Sequence, residues 1–187
     1  YPHTYHPTLR ATPSSGMALN RPYRSYGTLL RLQETDIVVI VNSSDEQLLK
    51  KELPHYNFRL VTVDHTRNIV ETLQVFLQKQ NQLADEVIIS LVTTIPTTMP
   101  PPDSIMLSDR QELCHFYSAV ADIETGKPEF FHRGSSADSF GYPFTGIIRT
   151  SFENLETALA KCSTDDLLEV AEHIYNSGKL SFKQAEW

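Results

Sequence analysis

The sequence predicts a three-layer α/β domain, in which a mixed sheet combines a parallel β-α-β-α-β core with an antiparallel hairpin, followed by two C-terminal helices. Three observations carry this expectation. Short runs of β-branched residues alternate with helical patterns in the first half, a turn with a glycine separates two later apolar runs, and two capped amphipathic patterns close the chain.

Residues 1–27 come before this pattern. They hold four prolines, many Ser, Thr and Tyr residues and no sustained apolar period, which reads as an extended arm attached to a single domain over 28–187. The two histidines His3 and His6 have no Cys or carboxylate ligands beside them, and no metal site is expected there or elsewhere. From Asp36, "DIVVIVN" has the composition of a strand covered on both faces. Ser44 with Gln47 fits a capping box, Leu48, Leu49 and Leu53 supply the apolar side of the helix, and Pro54 stops it. "FRLVTVD" is a second strand. Ile69, Leu73, Phe76 and Leu77 then recur at helical spacing, and "DEVIISLVTT" is a third strand. Strands separated by helices at this spacing favour crossover connections and a parallel sheet.

"IPTTMPPPDS" contains four prolines and breaks the pattern, so a long surface loop is expected. "LCHFYSAVADIETGKPEFFHRG" reads as an antiparallel hairpin closing between Glu124 and Lys127, with Gly126 free to take positive φ. On that register His132 faces Ala119. "SSADSFGYPFTG" reads as a loop and "GIIRT" as a short strand. Thr150 with Glu153, and Ser163 with Asp166, read as caps of two final helices whose apolar stripes run Phe152, Leu155, Leu159, Cys162 and Leu167, Val170, Ala171, Ile174.

Composition narrows the function classes. Sixteen basic against 23 acidic residues give a net charge of -7 and a pI near 5.4, which argues against a nucleic-acid partner or an anionic membrane surface. Two cysteines are too few for a disulfide-stapled secreted scaffold, and no apolar run suits a membrane span. A soluble protein, cytoplasmic by default, is expected. A start at Tyr1 rather than Met reads as a processed chain or part of a longer one. No cofactor is expected, because neither G-x-G-x-x-G nor G-x-x-x-x-G-K-[ST] occurs.

Two places suggest chemistry. Ligands of open α/β sheets gather beyond the strand carboxyl ends, near helix amino termini. That rim would be Asn42, Ser43 and Ser44, then Asp64 and His65, then Thr93 and Thr94. The second place is the hairpin, where Cys114 as a nucleophile, His132 as its base and Asp138 nearby would suit thiol chemistry. A cysteine at a strand start also serves as a small buried hydrophobe, and Asp64 also serves as a helix cap. Aromatic residues on polar segments, Tyr5, Tyr23, Tyr26, Phe140 and Tyr142, suit a protein interface.

The leading expectation is a non-catalytic interaction or regulatory domain whose partner is another protein or a neighbouring domain. The alternative is a small thiol-dependent hydrolase or glutamine deamidase using Cys114 and His132. A third reading is a small-ligand sensor at the strand rim.

Overall fold

The computed structural model describes residues 38–52, 59–79, 85–91, 99–110, 118–132 and 141–185. The expected arm over 1–27 lies outside the described residues. No helix among the described residues is long and apolar enough to cross a membrane.

The chain divides into two compact units. The first holds β1 (Val38–Val41), α1 (Ser43–Glu52), β2 (Arg59–Thr62) and α2 (Ile69–Gln78). β1 and β2 pair in parallel, Val38 opposite Arg59 through Val41 opposite Thr62, and the Val63 N–H extends the ladder to the Val41 carbonyl at 2.8 Å. The β-branched residues fit the pleat, and Val39, Val41 and Val63 are buried with Leu49 of α1 and Val70 and Leu73 of α2. Asn68 caps α2, its side chain accepting from the Glu71 N–H at 2.8 Å.

The second unit holds β3 (Glu86–Ser90), β4 (Ser104–Ser108), β5 (Ala119–Ala121), β6 (Glu129–Phe131), β7 (Tyr142–Ser151), α3 (Phe152–Leu159), α4 (Leu167–Asn176) and β8 (Ser181–Ala185). Its strand order is β6-β5-β7-β4-β8, with β3 also on β7. β7 runs antiparallel to β3, β4 and β5, while β4 and β8 are parallel. Ile147, Ile148 and Arg149 have strand partners in both β3 and β4, so this stretch of β7 is interior to the sheet. Ile105, Leu107 and Ile148 are fully buried, as are Leu155 of α3 and Leu168 and Val170 of α4. The Arg149 guanidinium donates to the Pro100 carbonyl at 2.6 Å and to Glu86 at 2.5 Å, tying the approach to β4 to the start of β3.

The α/β class, the mixed sheet and the two late helices are the expected ones; several details differ. β3 does not complete a parallel β-α-β-α-β sheet with β1 and β2, but pairs antiparallel with β7. Local spacing fixes that a strand follows a helix, whereas its partner is chosen by a long-range apolar match. β4 lies where no element was expected and overlaps the expected loop only at Ser104, β8 follows the last helix, and β7 takes in the last five residues of the expected loop over 135–146. In the hairpin Ala119 faces Phe131, not His132, because the connection contains Asp122 at φ 53, a 3-10 turn over Ile123–Thr125 and Gly126 at φ 74. The caps also move. Ser151, not Thr150, caps α3 by accepting from the Asn154 N–H, and Asp166 caps α4 by accepting from the Leu168 N–H.

Ser163 serves Glu169 instead. Thr164 donates its N–H and hydroxyl to one carboxylate oxygen, each at 2.7 Å, and Ser163 donates its hydroxyl to the other at 2.9 Å and its N–H to both at 3.1 Å. Burial alone would raise the Glu169 pKa, but the hydrogen bonds from Thr164 and then Ser163 outweigh it and hold the carboxyl at about 2, against an ordinary 4.5. A depressed carboxyl pKa contributes stability that is complete above pH 4.5 and is lost as pH falls toward 2. In urea denaturation, the stability gap between wild type and Glu169→Gln should therefore narrow by about 2 kcal/mol between pH 6 and pH 3. A gap independent of pH would show that the loop does not hold the ionised form.

Candidate functional site

Asp64, at the end of β2, accepts a hydrogen bond from the Ser43 N–H at 2.8 Å, so an amide at the amino terminus of α1 already meets a carboxylate of the chain itself. That backbone bond is the main reason the Asp64 pKa is lowered; desolvation opposes it, while the Ser43 hydroxyl, His65 and Lys79 add to the lowering. The Asn42 carbonyl accepts from the N–H groups of Asp45 and Glu46 at 3.0 and 3.2 Å. Ser44 is exposed on the first turn, and His65 is exposed with a left-handed backbone at φ 62. Thr93 and Thr94 lie outside the described residues.

Of the hairpin candidates, Cys114 and Asp138 lie outside the described residues. His132 follows the last residue of β6. Its Nε2 meets Glu172 of α4 at 2.9 Å, and its Nδ1 lies 3.6 Å from Asp166, which also accepts from the Ser118 hydroxyl at 2.5 Å. The ring thus sits between two carboxylates and links the end of β6 to α4. The other cysteine, Cys162, is half-buried and donates to the Ala158 carbonyl, and its thiol is pushed up to about 12 by burial and then by Glu169. A thiolate nucleophile needs the opposite environment. Tyr142 opens β7 half-buried opposite Val120; Tyr5, Tyr23, Tyr26 and Phe140 lie outside the described residues.

The arrangement that sequence reading missed lies at the carboxyl end of β4. All five residues of β4 are buried, and the chain then emerges at the exposed pair Asp109 and Arg110. Two buried hydroxyls shape this exit. The Ser108 hydroxyl accepts from the Arg110 N–H at 3.1 Å, turning the chain as it leaves the strand. Across the ladder Met106 faces Ile147, yet the next residue, Leu107, faces Phe144. Thr145 and Gly146 are therefore a bulge, with Gly146 at φ 80 and the Thr145 hydroxyl donating to the Met106 carbonyl at 2.8 Å. Ser108 and Thr145 are 0% and 4% exposed.

An exposed carboxylate held just beyond the end of an interior strand can meet a cation or a proton on a bound molecule. The sequence signals were a short apolar run closed by Ser-Asp and a Thr-Gly pair among apolar residues. The Thr-Gly pair sat in a segment read as a loop, and the apolar run sat between the expected loop and the expected hairpin, where no element was expected. No group of three or more His, Cys, Asp or Glu side chains that could hold a metal ion occurs among the described residues.

No family model matches the sequence, and no curated protein matches it either. Solved structures do. The 4-diphosphocytidyl-2C-methyl-D-erythritol synthase from Anaerococcus prevotii DSM 20548 is similar with a TM-score of 0.57 and 11% identity, over 89% of this chain and 80% of that one. The inositol-1-phosphate CTP transferase from T. maritima is similar with a TM-score of 0.58 and 13% identity, over 88% of this chain and 72% of that one. The likeness is one of fold, a nucleotidyltransferase-like α/β fold. It overturns the expectation of a non-catalytic interaction domain, since both structures that share the fold are enzymes.

Proposed function

We propose that the protein is a nucleotidyltransferase, taking a cytidylyl group from CTP and passing it to the phosphate of a small phosphorylated alcohol. An acceptor phosphate oxygen attacks the α-phosphorus, the bond from that phosphorus to the bridging oxygen breaks, and pyrophosphate leaves. The observation that carries this reading is the similarity of fold, over nearly nine-tenths of the chain, to a CTP transferase and to the synthase of a diphosphocytidyl compound.

The end of β4 suits the chemistry. Transfer at phosphorus relies on positioning and on neutralising charge. A net charge of -7 disfavours the approach of a bare triphosphate, and an accompanying cation would offset this. Magnesium is commonly held by one or two carboxylates together with substrate phosphates, and Asp109, an exposed carboxylate beyond an interior strand, fits that donor set. Such an ion would offset charge on the phosphates, and Asp109 would be its protein ligand. Without a G-x-G-x-x-G or Walker loop in the chain, the reading differs from dinucleotide or P-loop binding.

The test is pyrophosphate release with magnesium, each of the four ribonucleoside triphosphates in turn, and a panel of polyol and sugar phosphates. Release should require both triphosphate and acceptor and be fastest with CTP. No release from any pair would contradict the reading.

A further inference from the structure

We infer that Ser108 and Thr145 are positioning residues that fix the Asp109 carboxylate for the metal-bound triphosphate; this rests on the nucleotidyltransferase reading. Asp109 stands between two pins. Three residues before it, the Met106 carbonyl is held by the Thr145 hydroxyl. Directly before it, Ser108 is fully buried and its hydroxyl holds the N–H of Arg110, the residue directly after it. The backbone on either side of the exposed carboxylate is thereby fixed by side chains that solvent does not reach.

The bulge explains why a hydroxyl is needed at 145. Its two extra residues interrupt the ladder between β4 and β7 at Met106 and Leu107, and an unpaired carbonyl inside the sheet is costly. The Thr145 hydroxyl donates to the Met106 carbonyl at the point where the register shifts. Gly146, at φ 80, takes a backbone conformation that side chains with a Cβ rarely adopt. The bulge lies in β7, opposite Met106 and Leu107, while β4 keeps a regular parallel ladder with β8 through Ser108 and reaches Asp109 from a strand held on both sides.

Loss of a group that orients a metal ligand typically weakens metal binding about 10–100-fold. The experiment measures binding of Mn2+·CTP by water-proton relaxation, and of CTP alone in EDTA, for wild type, Asp109→Asn, Thr145→Val, Thr145→Ser and Ser108→Ala, with circular dichroism melts on each. Thr145→Val and Ser108→Ala should bind Mn2+·CTP about tenfold more weakly while CTP in EDTA changes far less. Thr145→Ser, which keeps the donor, should recover binding to within about threefold of wild type.

A hydroxyl that only holds the strand together would lower the melting temperature and leave the Mn2+·CTP affinity of the folded protein as it was; that result overturns the inference and leaves the reading of Asp109 standing. If Asp109→Asn itself binds Mn2+·CTP like wild type, the reading of the site fails and the inference falls with it. Should Thr145→Val not fold, Thr145→Cys, with a weaker donor, makes the same comparison.

Discussion

Asp109→Asn is expected to slow pyrophosphate release at least about 100-fold while leaving the fold intact. Disturbing an orienting neighbour of a metal ligand already costs about 10–100-fold, so removing the ligand itself should cost more. The amide keeps the size and shape of the carboxylate and removes its charge, which is what a divalent cation requires. Asp109 is exposed and lies beyond the last residue of β4, so the substitution should change stability by no more than about 0.5 kcal/mol. Asp103→Asn is the matched control. Asp103 is also exposed but precedes β4, and its carbonyl, unaffected by the change, accepts from the Ser181 N–H. Initial rates and thermal melts on the two variants separate loss of chemistry from loss of structure. Equal rates in both would remove Asp109 from the mechanism.

Ile148→Ala is expected to destabilise the second unit by about 3–4 kcal/mol. Ile148 is fully buried on interior strand β7, with Ile105 on one side and Ile89 on the other. Truncation leaves a cavity that two flanking strands cannot easily close, so the cavity cost adds to the lost burial. Ile148→Val removes one methylene and should cost about 1 kcal/mol. Urea denaturation of the two variants gives both values, and a small cost for alanine would mean that the sheet is less tightly packed around β7 than its burial indicates.

The contrast between the two units shows what can be read from sequence. β1, α1, β2 and α2 follow one another with local signals, β-branched runs and an apolar helical period, and all were legible. β4 and β8 were not. β4 is a five-residue run buried throughout, so it lacks the alternation that marks a half-buried strand, and it stands beside three consecutive prolines. β8 has an exposed lysine and glutamine and gains its ladder by lying parallel to β4, a pairing that no local pattern announces. The first residues of β7 carry glycine and proline, which signal turns, yet there they lead into a bulge.

The candidate site was hidden by the same causes. Asp109 becomes notable only once β4 is a strand with a carboxyl end. Asp64 drew attention as an acid closing a strand, and it caps α1 across a separation of 21 residues. Cys114 and His132 drew attention as reactive types, while the described partners of His132 are carboxylates. The fold itself is shared with proteins only 11% and 13% identical, so the arrangement of strands survives where the residue pattern does not.

Calorimetric titration of the wild-type protein with Mg2+·CTP, and separately with the other three ribonucleoside triphosphates, is the most direct measurement. One binding site for Mg2+·CTP, tighter than for the other three and lost in Asp109→Asn, is the predicted result. No heat of binding with any nucleoside triphosphate at millimolar concentration would contradict a nucleotidyltransferase.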